Sequence, residues 1–364
     1  MKIKKLELLN YRNYSNQIIE FKDNLNIIIG KNAQGKTNLL ESIFLCTIGK
    51  SPRTSKDKDL ISWGKQLSKV SIEIEKKIGH KTIDMFLFDK QNKAIKIDKI
   101  GIKKISELLG TLNAIYFSPD DLKLIKESPD ERRKFMDIDL CQFDKTYYYN
   151  LSKYNKILMQ RNKLLKSENY NDLKETLSIW NIELAKCGAV IILKRLNLIE
   201  KLKVISKKIH SEITSNQEDL NLSYVGFTAP TEKELYNILI EKYNESLDKD
   251  IKLGFTTVGP HRDDIKIVSN GIDLRSFGSQ GQQRTASLSL KLSELEFFYE
   301  NIGEYPILLL DDVLSELDEN RQNKLLEKTK NIQTIITCTD FNYQIPHTKF
   351  WIDNGNLIKK EEIE

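Results

Sequence analysis

The sequence predicts an α/β protein: a mixed β lobe with a central parallel sheet, interrupted by a mostly helical lobe. Three observations predict it. A continuous apolar run, "LNIIIG", leads straight into "GKNAQGKTN" (Gly30–Asn38), which fits G-x-x-x-x-G-K-[ST], a loop that wraps a phosphate chain. A second apolar run that ends in acids, "ILLLDD" (Ile307–Asp312), lies near the other end of the chain. Between them, from Glu131 to about Ser215, the pattern is helical.

The elements follow in order. "KIKKLELLN", "QIIEF" and "LNIIIG" are short, Ile- and Leu-rich and broken by polar turns, as strands are. The unbroken third run is that of a buried strand. "TNLLESIFLCTIG" places Leu39, Leu40, Ile43 and Phe44 at helical spacing, with Gly49 as the stop. "KVSIEIEKK" and "KTIDMFLFD" alternate as half-exposed strands, "QNK" turns into "AIKID", and "LNAIYF" is a further strand. "SPDD" (Ser118–Asp121) and "SPDE" (Ser128–Glu131) read as two helix starts: an N-cap Ser, Pro at the first helical position, an acid three residues after the cap.

In the helical stretch, Tyr147, Leu151, Tyr154, Leu158 and Leu165 follow a 3-4 spacing, with Arg161 at the remaining position. After the polar break "KSENYND", Leu177, Trp180, Leu184, Cys187 and Ile191 do the same. The stripe fits a short coiled-coil arm and equally a plain helical bundle. "DIKIV-SNG-IDLRSF" is a hairpin turning at Asn270-Gly271, and a helix follows from about Gln282 to Glu300. "YPILLLDD" and "QTIITCT" are apolar strands, and "TKFWIDNGNLIKK" is a terminal hairpin. The reading divides the chain into a lobe bearing the phosphate loop, made of 1–117 and 301–364, a helical lobe 118–250, and a linking segment 251–300.

Bulk composition narrows the class. At 364 residues the chain exceeds one small core. A net charge of +5 permits an anionic partner without demanding one. Cys46, Cys141, Cys187 and Cys338 lie far apart with no C-x-x-C pair, so reduced, buried thiols in a cytoplasmic protein are expected. No signal peptide is read in "MKIKKLELLNYRNY", and no apolar run of the ~20 residues needed to cross a bilayer is expected.

The chemistry starts at the loop. Gly30 and Gly35 let the backbone curl so that the N–H groups of Gly30, Lys31, Asn32, Ala33, Gln34, Gly35, Lys36 and Thr37 can surround phosphate oxygens. The following helix adds its positive end. Lys36 reaches the β- and γ-phosphates, and Thr37 places its hydroxyl on Mg²⁺. Asp311, at the end of an apolar strand, is the metal-holding Walker B acid; Asp312 is next, placed to polarise a water. Lys36 and Asp311 lie at opposite ends of the chain, so the helical lobe is inserted between two halves of one nucleotide site. "FGSQGQQR" (Phe277–Arg284) follows a strand and opens a helix, and Ser279 with Gly281 offers a hydroxyl and a bare backbone for a second anion-binding end.

Together these segments resemble the Walker A, signature and Walker B motifs of ABC-type ATPases. Ser279, Gly281 and Gln282 stand at the signature's Ser, second Gly and Gln, and "SELD" (Ser315–Asp318) at the D-loop. That class sandwiches two ATP molecules in a dimer, the signature of one subunit covering the γ-phosphate held by the other. The order of "NYRNY", "SPRTSKDKDLI", "YFSPDDLKLIKESPDERRKFMD", "TTVGPHRDDI" and "SFGSQGQQRTASLSLKLSE" narrows this. It resembles, essentially end to end, the RecF family of bacterial recombination mediators, related to SMC-type chromosome proteins. The resemblance implies a cytoplasmic ATP- and Mg²⁺-dependent protein. It implies an ATP-bound homodimer that grips duplex DNA near single-strand junctions, RecR and RecO as partners, and roles in gap repair, replication restart and SOS induction.

Departures from the pattern qualify the activity. Asp312 stands where Glu is usual, and "ITCTD" offers Thr337 and Thr339 but no switch His, so slow hydrolysis is expected; that DNA stimulates it is what the resemblance implies. Ala33 replaces a Gly common in SMC-type loops, a change expected to cost little. Arg12 and Arg53 are read either as nucleotide or dimer contacts or as solvated charge, and Arg262 as a phosphate or intersubunit contact or a surface pair. "KSPRTSKDK" and "ERRK" are sources of positive charge for DNA, though such runs are usually solvated faces.

Overall fold

The structure is a computed structural model that describes residues 1–166 and 173–363. The chain forms two compact units, Met1–Leu122 with Lys291–Glu364, and Lys123–Leu290.

The first unit holds two six-stranded sheets. One is antiparallel, in the order Tyr14–Glu20, Lys2–Tyr11, Leu67–Glu75, His80–Phe88, Ala94–Ile97, Ile100–Gly101. The other runs Asn356–Ile363, His347–Asp353, Leu25–Ile29, Thr334–Cys338, Ile307–Asp311, Ala114–Phe117. Its four inner pairings from His347–Asp353 to Ala114–Phe117 are parallel, and only the terminal hairpin adds an antiparallel edge. Burial on both faces explains the unbroken apolar runs: every residue of Ile307–Asp311 and Thr334–Cys338 is buried. The helix Lys36–Ile48 touches strands of both sheets, so it is buried on nearly every side rather than along one stripe. It ends, as its sequence suggests, on Gly49 at φ 70°.

The second unit is built on the helices Pro129–Phe143, Lys145–Leu164, Leu173–Ile213 and Glu232–Glu245, with a three-stranded antiparallel sheet, Ile272–Asp273, Asp264–Ser269, Leu220–Val225. The 3-4 stripe is its core: Tyr147, Tyr154, Leu165, Leu177, Leu184, Cys187 and Ile191 are buried. The bundle reading prevails over the arm. Leu247 and Ile251, from the helix Leu247–Leu253, pack on Leu165 and Leu177 at the hairpin's far end. Arg161 there is fully buried, its guanidinium 2.8 Å from Asp250 and 2.7 Å from the Thr256 hydroxyl. Most of the break "KSENYND" lies outside the described residues.

Four readings need correction. Contrary to the expectation that no apolar run reaches such a length, the stretch Thr176–Ile213 is a helix long and apolar enough to cross a membrane by length and composition. Its residues Leu184, Ile191, Ile192, Leu198 and Leu202 are buried inside this unit, and its Arg195 pairs with Asp137 and Asp263, as a core helix does. "SPDD" starts only a single 3-10 turn, Pro119–Leu122, before the short helix Lys123–Lys126. At "SPDE" the helix does begin at Pro129, but the Ser128 hydroxyl is 3.4 Å from Asp130 instead of capping. "IDLRSF" is not one strand: after Ile272–Asp273 the Asp273 carboxylate accepts from the N–H groups of Arg275 and Ser276 and starts the turn Leu274–Phe277.

Candidate nucleotide-binding site

Parallel registry gathers the functional residues. Ile29 is level with Cys338, and Asp311 with Thr337, so the strands Leu25–Ile29, Thr334–Cys338 and Ile307–Asp311 finish at one edge of the sheet. Ligands of open α/β sheets sit at such carboxyl ends. Here a pocket of about 410 Å³ is lined by the loop from Asn32 to Asn38 with Arg53, Asp311, Asp312 and Thr337. The two ends of the sequence thus meet in one site.

The loop is held from below and from the side. Gly35 lies at φ 111°, and a Cβ there would come within 2.5 Å of the Asn13 amide, so side chain and backbone both demand glycine. Asn13 donates to the Gln34 carbonyl at 2.9 Å, the Tyr14 hydroxyl to the Gly35 carbonyl at 3.0 Å, and the Gly355 N–H to the Gln34 carbonyl at 3.0 Å. Ala33 occupies φ 65°, the left-handed region, so its methyl carries a strain of roughly 1–2 kcal/mol that the sequence reading did not assign. The Lys36 ammonium folds over the loop and donates to the carbonyls of Gly30 at 2.5 Å and Lys31 at 3.2 Å.

Asp311 is the hub of the site. Its Oδ1 accepts from the hydroxyls of Thr37 at 2.9 Å and Thr337 at 2.8 Å, and its Oδ2 from Tyr116 at 2.7 Å. Thr37 and Asp311, read from sequence as the metal pair, are therefore in direct contact. A hydroxyl and a carboxylate suit Mg²⁺, which takes one or two protein oxygens and completes its shell with waters and substrate phosphates. Asp312 has φ 54°, uncommon for any residue but glycine, and is fixed by its N–H donating to the Thr337 hydroxyl at 2.9 Å and carbonyl at 3.1 Å. Burial raises the Asp312 pKa above the usual carboxylate range, the Lys36 charge opposes this, and the neighbouring Asp311 adds to it.

A DNA replication and repair protein RecF of Clostridium kluyveri is 52% identical over 344 residues, which cover 93% of each chain. The chain belongs to the RecF family. A RecF of Clostridium botulinum (strain Loch Maree) is 48% identical over 368 residues, 99% of this chain and 100% of the relative. The RecF/RecN/SMC N terminal domain family matches residues 2–345. A solved structure of the recombination mediator protein RecF-ATPrS in the RecFOR pathway aligns with a TM-score of 0.92 at 38% identity, over 100% of this chain and 98% of that one. An SmcHead bound to the C-winged helix domain of ScpA aligns with a TM-score of 0.59 at 16% identity, a likeness of fold alone. The fold is thus the ABC/SMC-type ATPase head with an inserted helical lobe.

In this RecF family member the remaining predicted residues fall into three groups. Ser279, Gly281 and Gln282 belong to the second unit and not to the pocket lining. They open the helix Gln280–Ile302, where the Ser279 hydroxyl accepts from the Gln282 N–H at 3.2 Å and the Gln282 side chain accepts from the Ser279 N–H at 3.0 Å, a capping box. Ser279 and Gly281 are exposed. In the D-loop segment the Ser315 hydroxyl donates to the Asp312 carbonyl at 2.8 Å, and Asp318 caps the helix Glu319–Lys328.

The arginines divide. Arg12 holds the buried Glu41 through two bonds of 3.0 and 2.8 Å, while Arg53 lines the pocket and bonds Asn38 at 2.9 Å. The "ERRK" arginines are not surface charge for DNA: Arg132 is buried against Asp264, and Arg133 bonds Asp130 and the Asp263 carbonyl. "GPHRDD" is a structural corner. His261 Nε2–H donates to the Thr256 carbonyl at 3.0 Å, so Nδ1 accepts from the Tyr154 hydroxyl at 2.7 Å, and Arg262 bonds the same carbonyl at 3.0 Å.

Sequence reasoning missed Tyr116 and Asn13. Tyr116 shows only as a lone hydroxyl in "AIYF", and its role follows from its parallel register with Leu309 beside Asp311. Asn13 shows as the polar tip of "NYRNY", opposite a loop that sequence distance hides.

Proposed function

We propose that the chain is an ATP-dependent DNA-binding protein of recombinational repair that closes as a dimer around two nucleotides and clamps duplex DNA at gaps or junctions. The observation that carries the reading is the contact of Thr37 with Asp311 at the mouth of the phosphate loop, with Lys36 and Asp312 lining the same pocket. When bound, ATP supplies the phosphoryl group and Mg²⁺ neutralises its charge. Backbone N–H groups of residues 30–37 and the Lys36 ammonium hold the phosphates, and Thr37 and Asp311 hold the metal. Asp312 accepts the proton of the attacking water; its raised pKa makes it a better base than a free carboxylate.

Each pocket takes its second wall from Ser279 and Gly281 of the other subunit, which their exposure permits. The inserted lobe then carries the signature of one subunit to the ATP of its partner. RecR and RecO are the expected protein partners, the cytoplasm the expected compartment, and replication restart and SOS induction the wider role. A second reading is a nucleotide-gated scaffold with negligible turnover; the shorter Asp312 and the use of Thr337 in place of a switch His favour it.

One set of measurements separates the readings: sedimentation and phosphate release with ATP, with and without duplex DNA, for wild type, Lys36→Met, Ser279→Arg and Asp312→Asn. The clamp predicts an ATP-dependent dimer that Ser279→Arg abolishes and Asp312→Asn traps. A wild-type chain that stays monomeric at every ATP concentration would refute it. DNA-gated dimers without phosphate release favour the scaffold.

A further inference from the structure

Trp63 is fully exposed, at 102% of its reference surface. Single exposed apolar residues are ordinary, but an indole displayed this completely is not shielding any core. It is also displayed rigidly. Lys65 N–H donates to the Ser62 carbonyl at 3.0 Å, closing a turn in which Gly64 takes φ 75°, the glycine position of a type II turn, and Trp63 takes the corner before it. The turn is anchored on the antiparallel sheet: Ser62 N–H donates to the Asn10 carbonyl at 2.9 Å and its hydroxyl to the Arg12 carbonyl at 2.7 Å. Tyr11 and Ile61 form a further bridge.

The same end of the sheet collects positive charge. The Asp89 N–H donates to the Gln66 carbonyl at 3.1 Å, and Lys93 reaches the Gly49 carbonyl at 2.5 Å and Asp57 at 2.9 Å. These contacts tie the turn around Lys90 to the stretch from Gly49 to Gln66. Lys50, Lys56, Lys58, Lys65 and Lys90 are all exposed and make no ion pair among the described residues. The acids beside them are Asp57, already paired with Lys93, Asp59, which accepts from Thr54, and Asp89. Lysine therefore predominates on the segments tied to the turn that bears Trp63.

We propose that this surface binds the single-stranded part of a DNA junction, with Trp63 stacked on an unpaired base and the lysines on the flanking phosphates. Stacking on an aromatic ring within a cationic surface is how single strands are held without sequence preference. A protein partner fits less well, since lysine is depleted at protein–protein interfaces. A blunt duplex buries its base faces and leaves nothing for Trp63 to stack on along its length. The proposal rests on the DNA-binding reading above and specifies which part of the junction is read and by what group.

The test compares binding of a blunt duplex, the same duplex with a single-stranded tail, and the single strand alone, followed by tryptophan fluorescence and by gel shift. The protein has three tryptophans, and Trp180 and Trp351 are half-buried, so Trp63 dominates the accessible signal. Expected are fluorescence quenching by tailed but not blunt DNA, about tenfold weaker tailed-duplex binding in Trp63→Ala, unchanged blunt-duplex binding, and recovery in Trp63→Phe. A triple Lys56→Ala, Lys58→Ala, Lys65→Ala variant should lower the salt dependence of binding by about two counterions.

Tailed DNA held equally by wild type and Trp63→Ala overturns the proposal and leaves the DNA-binding function standing, as does a Trp63→Phe variant as weak as Trp63→Ala. Intact DNA binding with lost binding of purified RecR reassigns the surface to a protein partner. A wild type that binds none of the three DNAs overturns the DNA-binding function itself, and this proposal with it.

Discussion

Thr337→Val tests what the Thr337 hydroxyl contributes to this site. Thr337 is fully buried at the end of its strand; its hydroxyl donates to Asp311 Oδ1 at 2.8 Å and accepts from the Asp312 N–H at 2.9 Å. Valine keeps the shape and removes both bonds. The Asp312 N–H retains the Thr337 carbonyl at 3.1 Å, and Asp311 retains Thr37 and Tyr116. The net loss is thus one hydrogen bond to a buried carboxylate, about 2 kcal/mol. For a unit of this size that lowers Tm by roughly 4–8 °C, read by calorimetry. With Asp311 freer to turn, phosphate release should fall about 10- to 100-fold, as when other groups that orient a metal ligand are removed. Thr337→Ser keeps the hydroxyl and should stay near wild type in both assays. A valine variant equal to wild type, or a serine variant as damaged as valine, refutes the reasoning.

Two further outcomes are expected. Burial lowers the His261 pKa to about 4 from 6.5, so between those values the unfolded chain binds the extra proton and stability falls as pH drops through that window. Urea unfolding at several pH values should show that slope reduced in His261→Gln, and an unchanged slope would rule out His261 as its source. Ala33→Gly removes the left-handed strain at φ 65° but adds backbone freedom to the unfolded chain, so a net gain of about 0.5 kcal/mol is expected in the same denaturation assay; a loss would show that the methyl makes a compensating contact.

Local chemistry was legible in the sequence. Gly35 is demanded by a positive φ, Gly49 ends its helix, Asn270-Gly271 turns its hairpin at φ 48° and 79°, and "ILLLDD" reads as a buried strand because both faces are covered. These features depend on a residue and its near neighbours, where period and turn preference act. The phosphate loop and its acids were legible for the same reason.

What depended on approach across the chain was not. Arg161 occupies a position of the apolar stripe, and only the distant Asp250 and Thr256 make its charge tolerable there. Arg132 and Arg133 read as solvated cations until Asp264 and the Asp263 carbonyl come to meet them. Tyr116 and Thr337 reach Asp311 only because parallel register sets three strand ends level. The sequence alone determined most of the strands and helices, the phosphate loop and the family. Tertiary structure decided which charges are buried, which ring stands free in solvent, and which hydroxyls hold the Asp311 carboxylate. The physical reason is that burial and pairing energies belong to neighbours in space, and such neighbours can be far apart in the chain: Thr37 and Asp311 are separated by 274 residues.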